Sequence, residues 1–245
     1  MNTQNDLLKF FEHADHRLIH KWLPYFDVYD RHLLKFRGRE VSLLEFGVYH
    51  GGSLQMWKHY LGPQAKIVGV DIDERCVAFA EDQIEIVIAD QSDRVSLGNI
   101  KSRYPKFDII IDDGGHNMEH QINTIKEFLF YTSDEGVYIC EDTHSSYMAK
   151  HGGAYKRGSS FIEYTKNIID QLNSFHSETP NLVIDDHSRC LNSIHYYDSM
   201  VVIEKKVPNA KGPSHRMFGT PSWDASEDEL KFIEGSAKLP KITSP

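Results

Sequence analysis

With 245 residues, 40% hydrophobic and 26% charged, the chain can build one large α/β domain or two small ones and has the composition of a globular protein. A formal net charge of −9 argues against nucleic-acid binding, which rests on clustered Lys and Arg facing phosphates, and no apolar run approaches the roughly 20 residues that span a bilayer. The three cysteines, Cys76, Cys140 and Cys190, form no CxxC pair, and the first residues carry no basic segment followed by an apolar core, so a cytoplasmic protein is expected.

Residues 6 to 37 read as amphipathic helix: Leu7, Leu8, Phe10, Phe11, Leu18, Ile19, Trp22 and Leu23 recur near three-to-four spacing, and Pro24 divides the run in two. His13, His16, His20 and His32 fall here without an acidic or cysteine partner to complete a metal set; they read as solvated helix faces, or as contacts of a homo-oligomer. Val41 to Phe46 is the first strand. The stretch Glu45-Phe46-Gly47-Val48-Tyr49-His50-Gly51-Gly52-Ser53 follows, then helix from Leu54 to Tyr60. Gly47 and Gly51 let the backbone turn sharply and approach a ligand, and the amides opening the helix favour an oxygen-rich group. The spacing is GxxxG after an acid, not the GxGxxG of dinucleotide binders.

Ala65 to Val70 is strand two, tipped by Asp71, which is placed to accept both hydrogen bonds of a ribose diol. Strand three, Ile84 to Ala89, ends in Asp90-Gln91, where Asp90 is either an acceptor for an adenine amino group or a helix cap. Helix is expected from Asp93 to Tyr104 and strand four from Phe107 to Ile111. Directly after it stands Asp112-Asp113-Gly114-Gly115-His116, two carboxylates and an imidazole on a glycine-relaxed turn. Helix follows from Asn117 to Phe130. Strand five, Gly136 to Cys140, ends in a second acidic pair, Glu141-Asp142. A single pair is explained equally well as a helix cap; two pairs after consecutive strands suggest a hard-metal site with a base beside it.

The polar stretch Thr143 to Lys156 is long for a connection and reads as a functional loop. Helix is expected from Ser159 to Leu172, a short strand at Asn181 to Ile184, and a final hairpin from Ser193–Tyr197 and Met200–Glu204 around Asp198-Ser199. One short helix near Glu227 to Ile233 lies in a tail rich in Pro, Lys, Ser and Gly. The alternation predicts a doubly wound, mostly parallel α/β sheet of seven strands with an antiparallel last strand. The domains expected are an N-terminal helical extension over 1–40, a core over 41–205 and a surface tail over 206–245.

The ordered set Glu45-x-Gly47-x-x-x-Gly51, Asp71, Asp113-Gly114-Gly115-His116 and Glu141-Asp142 resembles the class I S-adenosylmethionine-dependent methyltransferases, and within them the metal-dependent sugar O-methyltransferases of macrolide biosynthesis and their bacterial relatives. The resemblance spans residues 41 to 204. It implies Asp113, Glu141 and Asp142 as ligands of Mg²⁺ or another hard cation such as Mn²⁺, and His116 as general base. Asp112 is expected near the sulfonium end of S-adenosylmethionine, Asp90 and Gln91 near its adenine, and Glu45, Gly47, Tyr49, Gly51, Ser53 and Asp71 around the rest of it. The acceptor implied is a hydroxyl of a sugar-containing small molecule. A catechol-type O-methyltransferase is the nearest alternative, disfavoured by the polar loop from Thr143 to Lys156. A cephalosporin hydroxylase-like enzyme and a non-catalytic cofactor-binding module remain as further alternatives.

Overall fold

Seven strands form one sheet: β1 (Ser42–Phe46), β2 (Lys66–Asp71), β3 (Ile84–Ile88), β4 (Phe107–Asp112), β5 (Thr132–Cys140), β6 (Leu191–Tyr197) and β7 (Met200–Lys205). The computed structural model describes residues 5–13, 15–214, 217 and 226–237. The strand order is β3-β2-β1-β4-β5-β7-β6. The first five strands run parallel, and β7 is antiparallel to both β5 and β6. This is the doubly wound α/β class expected. The chain winds outward from β1 through β2 to β3, then restarts beside β1 with β4. The loops after β1 and β4 therefore diverge and leave a crevice at the carboxyl edge of the sheet.

Side-chain alternation along these strands sorts the core into two layers. Leu43, Ile109, Ile111, Val137, Ile139, Met200 and Val202 face the first layer with helices α1 (Asp6–Glu12), α2 (Tyr25–Leu33) and α3 (Gly52–Leu61). Leu44, Phe46, Ile110, Tyr138, Cys140, Val201 and Ile203 face the second, with α4 (Arg94–Arg103), α5 (Met118–Phe128) and α6 (Phe161–Asn173). Asp93 caps α4 through bonds from the Val95 and Ser96 amides, and Ser160 caps α6 through the Glu163 amide. Helix α2 buries Tyr25, Phe26, Val28, Tyr29, His32 and Leu33, and Tyr29 meets Trp57 of α3 edge-to-face at 4.9 Å. A short α7 (Asp186–Cys190) leads into β6.

Three expectations need correction. Residue 13 and residues 15–24 are not helix; the chain crosses the sheet edge there in irregular form, leaving Leu18, Trp22 and Leu23 more than half exposed. The crossing is close: a Cβ on Gly52 would stand 2.3 Å from the Arg17 carbonyl oxygen, and the Arg17 amide donates to Gln55 Oε1 of α3 at 3.0 Å. Asn181 to Ile184 forms no strand, and Val183 is 67% exposed, so its apolar side chains find no sheet to pack on. Strand β5 begins at Thr132, before Gly136, because a register shift against β4 lets Thr132 pair with Phe107.

Residues through Pro208 form one compact unit, and 209–245 form a second. In the second, α8 (Glu227–Ala237) opens on a reciprocal cap in which Ser226 Oγ accepts from the Glu229 amide and Glu229 accepts from the Ser226 amide. Among the described residues, no helix is long and apolar enough to cross a membrane.

Candidate active site

The crevice holds a cavity of about 650 Å³. Gly47 and Tyr49 from the β1 loop and Ser53 at the start of α3 line it, as do Asp71 at the tip of β2, Asp90 and Gln91 after β3, Asp113 to His116 after β4, and Glu141 and Asp142 after β5. Residues 18–22 and Tyr25 close the remaining side. Thus most of the residues singled out in the sequence share one cavity. Glu45, Gly51 and Asp112 do not line it, and their placement has a structural reason.

Gly47 has φ +93°, and a Cβ there would stand 2.1 Å from the Asp113 carbonyl oxygen. Only glycine lets the β1 loop and the β4 turn touch. Asp71 secures the same loop: its Oδ2 accepts from the Val48 amide at 2.8 Å and the Tyr49 amide at 3.1 Å. Its Oδ1 accepts from the Asp73 amide at 3.0 Å. Gly47→Ala combines a left-handed φ with a backbone collision, so it is expected to destabilise the fold by more than about 1 kcal/mol. Urea denaturation checks this, and a midpoint equal to wild type would contradict it.

At the β4 turn, adjacent carboxylates part company. Asp112 is 1% exposed on the second-layer side, where its Oδ1 accepts from Gln91 Nε2 at 2.7 Å and burial pushes its carboxyl above the usual range. Gln91 Oε1 in turn accepts from the Gly115 amide at 2.9 Å, so the pair pins the turn from behind. Asp113 faces the first layer and the cavity. His116 and Asp142 both adopt left-handed backbone, with φ +51° and +52°. For non-glycine residues this costs of order 1–3 kcal/mol each and recurs where geometry serves a site. His116 Nε2 points at both carboxylates, 3.9 Å from Asp113 Oδ1 and 3.6 Å from Asp142 Oδ2, while its Nδ1 is buried without a hydrogen-bond partner. Tyr25 braces Asp142: its hydroxyl lies 2.8 Å from Asp142 Oδ1 and 3.0 Å from the Ser199 carbonyl, and it accepts from the Asp142 amide at 3.2 Å.

Glu141 and Glu45, both fully buried, are engaged by Lys21, a residue the sequence reading passed over. Lys21 Nζ lies 2.6 Å from Asp113 Oδ2, 2.9 and 3.0 Å from the two Glu141 oxygens and 3.5 Å from Glu45 Oε1. Glu45 also accepts from Ser53 Oγ at 2.7 Å. Burial disfavours the Lys21 ammonium, but the three carboxylates outweigh it and hold its pKa well above the ordinary value. Burial, then the Asp113 charge, pushes the Glu141 carboxyl upward against the pull of Lys21. A lone lysine in the run Leu18-Ile19-His20-Lys21-Trp22-Leu23 was the available signal for it.

Asp113, His116 and Asp142 bring ligand atoms within 4.8 Å of one another. The two partly exposed carboxylates fit a divalent cation with positions left for water or substrate oxygen, and the imidazole beside them is left to act as a base. Glu141, turned onto Lys21, adjoins this group through the shared contact with Asp113.

No family model matches the chain. Over 222 residues it is 32% identical to demethylmacrocin O-methyltransferase of Streptomyces fradiae, covering 84% of this chain and 52% of that protein. Over 204 residues it is 30% identical to the 8-demethyl-8-alpha-L-rhamnosyl tetracenomycin-C 2'-O-methyltransferase of Streptomyces olivaceus, covering 79% of this chain and 53% of that one. The solved MycE methyltransferase of mycinamycin biosynthesis, in complex with Mg and SAH, superposes with a TM-score of 0.73 at 28% identity, covering 93% of this chain and 59% of MycE. The chain spans about half the length of the curated relatives it matches. By sequence and fold it is a homologue of the sugar O-methyltransferases of macrolide biosynthesis and a member of the class I S-adenosylmethionine-dependent methyltransferase fold family.

Proposed function

We propose that this protein is a divalent-cation-dependent O-methyltransferase, moving the methyl group of S-adenosylmethionine to a hydroxyl of a sugar-containing small molecule. One observation carries the reading: Asp113, His116 and Asp142 converge in the same cavity as the glycine loop and the acidic tips Asp71 and Asp90. The rhamnosyl 2'-O-methyltransferase activity of one homologue supports a sugar acceptor, and the Mg and SAH bound in MycE support the methyl donor and the cation.

S-adenosylmethionine supplies an electrophilic methyl group that needs only an in-line oxygen nucleophile. Asp71 and Asp90, at the β2 and β3 tips, would take its nucleoside, with Gly47, Tyr49, Ser53 and Gln91 completing the wall of the cavity. Asp71 Oδ1 accepts one backbone amide and keeps capacity for a ribose hydroxyl. Glu45 and Gly51 shape this wall from behind, Glu45 by holding Ser53. Asp113 and Asp142 hold the cation, with Glu141 beside them as the third carboxylate. A hard divalent cation there supplies Lewis acidity toward a hydroxyl that is far too weak an acid for a histidine alone. His116 Nε2 takes the proton. Asp112 acts through Gln91, fixing the turn that aims His116.

Labelled S-adenosylmethionine incubated with free and nucleotide-linked sugars tests the reading. Methylated sugar is expected with Mg²⁺, and its loss with EDTA. Asp142→Asn is expected to raise the Mg²⁺ concentration needed for half activity. Transfer indifferent to EDTA would remove the cation from the proposal, and S-adenosylmethionine binding without transfer to any sugar or catechol would favour a non-catalytic module.

A further inference from the structure

Away from the cavity, His32 finds the partners that its sequence neighbourhood lacks. It lies near the end of α2, 3% exposed, against the β6–β7 hairpin. Ser193 pairs with Glu204 and His195 with Val202 across that hairpin, so Ser193, His195, Tyr197 and Glu204 share the face turned to α2. His32 Nδ1 is 2.9 Å from Glu204 Oε1, and its Nε2 is 2.8 Å from the Tyr197 hydroxyl. The His195 ring lies 4.7 Å from that of His32, and Ser193 Oγ joins His195 Nε2 at 2.9 Å to Glu204 Oε2 at 3.1 Å. Ligand atoms of His32, His195 and Glu204 all fall within 4.8 Å of one another.

We infer that His32, His195 and Glu204 form a second cation site, separate from the acidic cavity, selective for zinc or a similar transition ion. Two imidazoles and one carboxylate are borderline donors that suit Zn²⁺ and poorly suit Mg²⁺. Donors around one tetrahedral ion with ~2.0 Å bonds stand roughly 3.3 Å apart, so the present 2.9 Å contact needs to open only slightly for an ion to replace the shared proton. Burial holds His32 below the ordinary imidazole pKa despite the opposing pull of Glu204, and neutral imidazole is the ligating form. With Nδ1 on the ion, Nε2–H donates to Tyr197, an outer partner of the kind that fixes ring orientation in metal sites. Glu204 and His195 are partly exposed, which gives the ion a way in. The site joins α2 to the β6–β7 hairpin. Tyr25 at the start of α2 already meets the Ser199 carbonyl in the turn of that hairpin, so an ion here clips the same two elements at a second point.

The test uses the whole protein, stripped of metal and titrated with Zn²⁺ by calorimetry in saturating Mg²⁺, with Co²⁺ absorption as a reporter of imidazole ligation. One Zn²⁺ per chain is expected, with a raised Tm and visible Co²⁺ bands. Asp142→Asn should retain this site. His195→Ala should abolish the Co²⁺ bands and weaken Zn²⁺ binding more than tenfold, and Tyr197→Phe should weaken it by about 10–100-fold. Glu204→Gln, close in shape, serves if His195→Ala folds poorly. Absence of Zn²⁺ binding, binding unchanged in both His195→Ala and Glu204→Gln, or binding lost only in Asp142→Asn would each overturn the assignment.

Discussion

His116→Ala is expected to lower methyl transfer by about 10²–10⁴-fold, the range for a lost general base, while leaving S-adenosylmethionine affinity within a factor of a few. The expectation follows from the division of contacts in the cavity. The walls proposed for the donor are the β1 loop and the tips of β2 and β3, and none of their contacts described above involves the imidazole. The imidazole instead aims Nε2 at Asp113 and Asp142, where an acceptor hydroxyl beside a bound cation would place its proton. Alanine keeps the Cβ, so the left-handed strain at φ +51° is carried over unchanged and a loss of turnover is not to be credited to a relaxed turn. Single-turnover rates with calorimetric donor binding make the comparison. Near-normal turnover would end the base assignment, and lost donor binding would move His116 into the cofactor site.

The second large effect is on stability. Lys21→Met is expected to cost about 3–5 kcal/mol, because removing one member of a buried ionic cluster strands the others. Here the stranded groups are Asp113, Glu141 and Glu45. Mg²⁺ should recover part of this loss, since a divalent ion near Asp113 returns positive charge to the same carboxylates. The variant's urea midpoint should therefore rise with Mg²⁺ more steeply than that of wild type. A stability change under about 0.5 kcal/mol, the usual surface value, would show that Lys21 is not the internal counter-ion its contacts imply.

The strands, their order of appearance and the acidic tips were legible because short apolar runs bounded by turn residues are a local signal. So was the cavity, since ligand sites of doubly wound sheets follow the carboxyl ends of the strands. Lys21 and Tyr25 were not legible. Apart from Glu45, their partners lie 92 to 174 positions away, and a single lysine in an apolar run is the one local mark of an inward-facing charge. Three-to-four spacing across Leu18, Ile19, Trp22 and Leu23 imitated a helix in a stretch that is instead held against α3, by the Arg17 amide on Gln55 and by close packing on Gly52. His32 was dismissed for want of partners, and they came from strands more than 160 residues on.

The opposite facing of Asp112 and Asp113 bears on which genetic changes this protein can absorb. Substitutions change one side chain at a time, but a single-residue insertion or deletion in β4 would exchange the faces of every residue beyond it. The carboxylate that anchors the turn and the one that faces the cavity would trade places, and the apolar residues of both layers would turn over with them. Length in β4 is thus held by chemistry and by packing together. The segment from Thr143 to Lys156 is built of short turns and has no alternating faces to exchange, although Thr143, Ser145 and Ser146 at its start are buried. Changes of length are therefore better absorbed in the exposed residues 154–159 than in the strands that carry the acids, which can change in composition but not in count.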